Sequence, residues 1–153
     1  MFHRATKLDF KDGTTLEVTF QNGKVVSYDM SVLFQKYPQL QALEDRNLFL
    51  SGKLSGSYGI IWNEELDIEV ETIYQEGTLV RNEKVPAAML IGSTVSEARA
   101  KSDITQAQLA KACGIDQSDI SKIERGAANP SISTLARIAE ALGCELEVHF
   151  TPL

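Results

Sequence analysis

The sequence predicts an α+β unit, a small antiparallel sheet with short helices, followed by an all-helical unit that ends in a strand. Three observations carry this. Apolar and polar residues alternate through much of residues 1–80, the period of half-buried strands. From Thr94 onward the apolar period becomes that of helices, with starts and stops that can be named. The last segment, CELEVHFTPL, alternates strictly again. The boundaries read as 1–82 for the first unit, 83–93 for a linker and 94–153 for the second unit.

ATKLDFKDGTTLEVTFQNGKVVSYDM holds two turn signals, Asp12-Gly13 and Asn22-Gly23. Between them Leu16, Val18 and Phe20 share one face, and Thr15, Glu17 and Thr19 the other. That is a three-stranded meander with one face buried. SVLFQKYPQLQAL turns helical, with Pro38 suited to a helix start. GSYGIIWN returns to a strand, and ELDIEVETIYQEG closes the unit with a short helix stopped by Gly77. VRNEKVPAAMLIGS has a proline, small residues and no period. It fits either a linker or an extension of the helix beyond it.

In the second unit Thr94 with Glu97, and Thr105 with Gln108, have the spacing of capping boxes. Asp116 is placed to cap a third helix that Gly126 ends, and Ser131 to cap a fourth. Leu135, Ile138, Ala139 and Leu142 stripe that fourth helix before Gly143 stops it. In the closing strand Cys144, Leu146, Val148 and Phe150 face one way and Glu145, Glu147 and His149 the other.

The 153 residues carry a net charge of −6 and no apolar run of membrane-spanning length. The start, MFHRATKLDF, lacks the apolar core and cleavage site of a secretion signal. Cys113 and Cys144 sit in apolar patterns without CxxC spacing, so both read as buried thiols in a reducing, cytoplasmic setting. No metal-ligand spacing, Gly-rich phosphate loop or nucleophile–base pair occurs. Neither catalysis nor a cofactor is therefore expected. His3 reads as a surface residue, Trp62 and Tyr74 as core. Glu64, Glu65, Asp67, Glu69 and Glu71 form an acidic run, a solvated face or one that meets a basic partner.

The most constrained stretch is QAQLAKACGIDQSDISKIER, Gln106 to Arg125. Ala110 stands where two crossing helices need a small side chain, and Gly114 where the chain turns sharply. Leu109, Cys113, Ile115, Ile120 and Ile123 close a small core beneath the turn. Opposite Ile120 and Ile123 runs a polar stripe of Gln117, Ser118, Ser121, Lys122 and Arg125, all hydrogen-bond donors. Such a stripe alone is ordinarily a solvated face. Combined with the small residue, the glycine and the apolar spacing, it suits base edges in a major groove.

Residues 94–143 resemble the Cro/cI-type, or Xre-like, helix-turn-helix family of bacterial and phage repressors. ITQAQLAKACGI, ISKIERG, NPSISTLARIAEALG and Arg99 carry the resemblance. It implies a lambda-repressor-like fold that binds double-stranded DNA as a homodimer, with the third helix in the major groove. By position, Gln117, Ser118 and Lys122 would reach bases, with Ser121 at their margin. Gln106, through its side chain and backbone amide, and Arg125 and Asn129 would meet phosphates. Arg99 and Glu124 match a structural salt bridge of the family, so Arg99 is not expected at DNA. The loop GAANPS lacks the basic residues of many relatives, and Asp116 and Asp119 bring negative charge close to the groove.

Residues 86–153 hold six Lys/Arg against eight Asp/Glu, whereas Arg99 to Arg125 holds five against four. Few cations imply modest affinity per domain and a shallow salt dependence, which two copies on one pseudo-palindrome would offset. The closing strand needs an edge to pair with. Similar strands pair across the two-fold in antitoxin-like relatives; docking on its own N-terminal sheet is the other reading. Residues 1–80 resemble a bacterial domain-of-unknown-function family, numbered 2442, through VTFQNGKVVSYDM, FQKYPQLQALEDRNLF and GIIWNEELDIEVETIY. That resemblance implies an α+β fold and no activity. The function expected is a dimeric repressor. The alternative is an antitoxin-like module whose N-terminal unit binds a protein partner, a reading compatible with repression of its own operon. A ligand sensor or enzyme in the N-terminal unit ranks last, since nothing in the sequence demands a pocket there.

Overall fold

The computed structural model describes residues 2–152. The chain separates into two compact units, residues 1–85 and 86–153.

In the first unit β1 (Ala5–Phe10), β2 (Thr15–Phe20) and β3 (Lys24–Asp29) form the antiparallel meander that the alternation predicts. Leu16 stands opposite Tyr28 and Val18 opposite Val26, cross-strand apolar pairs of the kind that stabilise sheets. Leu16, Val18 and Phe20 are fully buried, each contributing about 1.5–3 kcal/mol. At the second turn Gly23 has φ +88°, and a Cβ there would lie 2.3 Å from Glu83 O. Only glycine meets both demands.

Pro38 occupies the first turn of a 3-10 helix, Pro38–Glu44, which follows a shorter one at Met30–Leu33. Next comes α1 (Arg46–Leu50), capped by Asp45, whose carboxylate accepts from the Asn47 and Leu48 amides. β4 (Lys53–Ser55), β5 (Gly59–Asn63) and β6 (Leu66–Glu69) make a second antiparallel sheet. α2 (Val70–Glu76) leads to β7 (Thr78–Asn82), which pairs with β3 and completes the order β1-β2-β3-β7. One core joins these elements, with Phe49, Ile60, Trp62 and Ile73 packed among the β2 and β3 side chains. Trp62 is core as expected, and its indole N–H donates to Phe49 O at 2.8 Å.

Several expectations are corrected. Leu66–Glu69 is a strand, and the helix begins only at Val70. Gly77 follows that helix at φ −76°, without the left-handed geometry of a glycine stop. β7 was hidden because all five of its residues are exposed and show no alternation. Glu17 and Thr19 are buried although they lie on the polar face. Glu17 is sheltered by Lys11, 3.5 Å away, and Arg81, 3.2 Å away. His3 is not a simple surface residue: its ring stacks on Tyr74 at 3.4 Å and its Nδ1 lies 3.0 Å from the Glu71 carboxylate.

The second unit comprises α3 (Ala87–Lys101), α4 (Gln106–Cys113), α5 (Gln117–Glu124) and α6 (Ile132–Ala141). Residues 87–93, read as a linker or as an extension of the helix beyond, are the first half of α3. Thr94 therefore sits inside a helix, where its hydroxyl donates to Leu90 O at 3.0 Å rather than capping. Pro86 precedes the first turn, and no side chain caps it. Val95, Leu109, Ala110, Cys113, Ile120, Ile123 and Ile138 form the core. Ser131 caps α6 by accepting from the Thr134 amide. Beyond α6, Gly143 adopts φ +66° and the Cys144 amide bonds Ala139 O, a Schellman closure.

Residues 144–152 belong to neither sheet. The strand read from their alternation is not formed among the described residues. An extended segment becomes a strand only when a second edge supplies its hydrogen bonds. Cys144, expected buried, is exposed on this segment, whereas Cys113 is buried.

Candidate nucleic-acid interface

The candidate interface is the α4–α5 pair. Thr105 accepts from the Gln108 amide while the Gln108 side chain accepts from the Thr105 amide, the full capping box. Those bonds satisfy amides that a helix start leaves without partners. Gly114 ends α4 at φ +66°, ψ +36°, a left-handed geometry costly for residues with a Cβ. Ala110, nearly buried, lets α5 approach α4 closely, and Leu109, Ile120 and Ile123 lock the pair from beneath.

This packing decides which face of α5 points outward. Gln117, Ser118, Lys122 and Arg125 are exposed, and Ser121 is half-buried beside them. Lys122 Nζ stands 3.7 Å from Asp119 Oδ1, and Arg125 Nε donates to Ser121 O at 3.3 Å. Asp116 occupies the N-cap position, yet its side chain makes no capping bond. Only its backbone carbonyl serves the helix, accepting from Asp119 and Ile120. The carboxylate thus remains a negative charge at the start of α5, where the helix dipole favours it. Asn129 is exposed in the loop before α6.

Glu124 points the other way and is 1% exposed. Arg99 of α3 grips it with two bonds, Nε to Oε1 at 2.6 Å and Nη2 to Oε2 at 3.1 Å. Arg99 Nη1 also donates to Ile104 O at 2.8 Å. The bidentate, charge-assisted geometry compensates the desolvation of a buried carboxylate. Gln106 joins this group, its Nε2 donating to Glu124 Oε2 at 2.9 Å. The Gln106 side chain, expected at a phosphate, is thereby drawn to Glu124, while its backbone stays at the start of α4. Sequence reasoning also passed over Arg137, whose Nη2 donates to Cys113 O and to Gly114 O. Its exposed place on α6 gave no signal without the fold.

Each unit also holds a concave feature lined by other elements. In the first unit a groove of about 370 Å³ is lined by Leu33, Leu40 and Ile68 and by the acids Glu65, Asp67, Glu69 and Glu76. Glu76 accepts from the Tyr28 hydroxyl at 2.8 Å; burial, then Glu76, raises that phenol above its ordinary range. Sequence reasoning saw the acidic run but not the concavity, which the 3-10 helices create. In the second unit an apolar groove of about 360 Å³ lies among α3, α6 and residues 144–149.

Comparison with known proteins places both units. Residues 95–149 match the helix-turn-helix family model, and residues 5–78 match a family described as a protein of unknown function, DUF2442. An uncharacterised HTH-type transcriptional regulator of Sinorhizobium fredii is 37% identical over 63 residues, 41% of this chain and 82% of that protein. The immunity repressor protein of Bacillus phage phi105 is 38% identical over 58 residues, 38% of this chain. The chain spans 40% of that repressor's length. Among solved structures, the clp gene regulator ClgR from C. glutamicum aligns at 26% identity and a TM-score of 0.41, over 43% of this chain and 85% of that one. The restriction-modification controller protein C.AhdI from Aeromonas hydrophila aligns at 33% identity and a TM-score of 0.36, over 36% and 80%. Through its second unit, the chain belongs to the helix-turn-helix family of DNA-binding transcriptional regulators.

Proposed function

We propose that the protein is a sequence-specific repressor that reads a pseudo-palindromic site as a homodimer, with α5 in the major groove. The observation that carries this is the outward face of α5. Gln117, Ser118 and Lys122 are exposed there while every apolar residue of the helix is buried. Gln117, Ser118, Ser121 and Lys122 read bases; Arg125, Asn129 and the α4 start at Gln106 hold phosphates. Few cations lie on this surface, so one domain binds weakly and two copies bind usefully. The dimer reading is supported by residues 144–150, where Val148 is 68% and Phe150 97% exposed beside the apolar groove. A two-fold pairing of these segments would bury that surface. Mobility shift on DNA upstream of the protein's own operon tests the reading. The wild type should retard one fragment over competitor, and the Gln117→Ala, Lys122→Ala double variant should retard all fragments alike. Undiminished preference in the double variant would show that α5 is not the reader.

The acidic groove favours a second reading, compatible with the first: the N-terminal unit holds a basic protein partner, as in an antitoxin-like module. Co-expression with the product of the adjacent gene tests it. A complex lost in Asp67→Lys, Glu69→Lys supports the reading, and a partner bound equally by that variant removes it.

A further inference from the structure

Arg137 projects from α6 to the far end of α4. Its Nη2 donates to Cys113 O, and to Gly114 O at 3.3 Å. Cys113 O is a carbonyl that a helix end leaves without a partner, at the negative end of the α4 dipole, and Gly114 O belongs to the turn that follows. A planar cation suits both. A Cβ at Gly114 would lie 3.2 Å from Arg137 Nη2, so the glycine makes room for the guanidinium as well as for the turn. Only residues 114–116 separate α4 from α5. A change of dihedral there swings Gln117 and Ser118, the first residues of α5; within the turn Ile115 is only partly buried against the core, and full burial resumes at Ile120 and Ile123.

We propose that Arg137 is a positioning residue for DNA reading, a clip from α6 to the α4–α5 turn that fixes where α5 presents Gln117 and Ser118. The inference rests on the DNA-reading function proposed above. Arg137 acts through the turn and not through a phosphate, and this separates it from the cations of α5. A lost phosphate contact weakens binding to all sequences alike and reduces the salt slope by about one. A loosened turn weakens the specific complex and leaves the slope unchanged.

The test uses the full chain with a duplex enriched by the wild type from a random pool, beside a mixed-sequence duplex. Arg137 is exposed, so Arg137→Gln retains the core. Loss of its charge-assisted bonds should weaken the specific complex about tenfold and the mixed-sequence complex less than about twofold. The salt slope should stay unchanged, and amide exchange at Ile115 should quicken by about tenfold, with α3 unaffected. Arg137→Lys, which keeps a cation but not the fork, should recover part of the specific affinity. Equal weakening of both complexes with a shallower slope would make Arg137 a phosphate contact and overturn the proposal. So would unchanged specific binding. A wild type that enriches no sequence removes the DNA reading and the clip's part in it, and the exchange rate then still reports whether the clip holds the turn.

Discussion

At the scale of single residues, Glu124 shows how the fold separates structural side chains from outward-facing ones. It sits within the polar α5, yet Arg99 and Gln106 hold it inward. Removing one partner leaves a buried charge uncompensated, so Arg99→Ala should cost about 3 kcal/mol. Urea denaturation followed by circular dichroism should show a lower midpoint with an unchanged slope. Acid should act on the first unit through Asp29 and Glu71. Hydrogen bonds from the Thr14 hydroxyl and the Ser31 amide hold the Asp29 carboxyl below its ordinary range. Burial alone would raise Glu71, but bonds from Gln75 and His3 outweigh it and the net direction is downward. A carboxyl depressed on folding contributes stability that is complete above its unfolded pKa, about 4, and is lost as pH falls through the folded value. Melting temperature measured from pH 6 downward should therefore fall below about pH 4, and Thr14→Ala should flatten that fall. An unchanged profile in Thr14→Ala would remove Asp29 from the account.

At the scale of elements, legibility followed local chemistry. The meander was readable because β2 alternates and Asn22-Gly23 marks a turn, and α4 because Thr105 and Gln108 form a capping box visible in four residues. Thr105→Ala should cost about 1 kcal/mol and lower the melting temperature of the second unit; no shift would mean the box is idle. Where an element's identity came from a distant partner, sequence misled. β7 is a strand because β3 offers it an edge. α3 begins at Ala87 because Pro86 suits a helix entry and nothing breaks the chain before Lys101, so the capping-box spacing at Thr94 was coincidental. The outward stripe of α5 was legible from spacing alone. The Gln106–Glu124 bond and the Arg137 clip were not, since each joins residues on different elements.

At the scale of the whole molecule, net charge opposes DNA binding only when charge is counted over the whole chain. Acids concentrate in the first unit and in Glu140, Glu145 and Glu147, while the stretch from Arg99 to Arg125 is slightly basic. Under the proposed function, a chain so arranged would depend on the few donors of α5 for choice of sequence and on a second copy for strength. Selection from a random-sequence duplex pool tests that account most directly. The account predicts an enriched site with two-fold symmetry, half-sites about one helical turn apart, roughly 34 Å, and loss of the half-site bases in Gln117→Ala, Lys122→Ala. Enrichment of no sequence, or of the same sequence by the double variant, would contradict it.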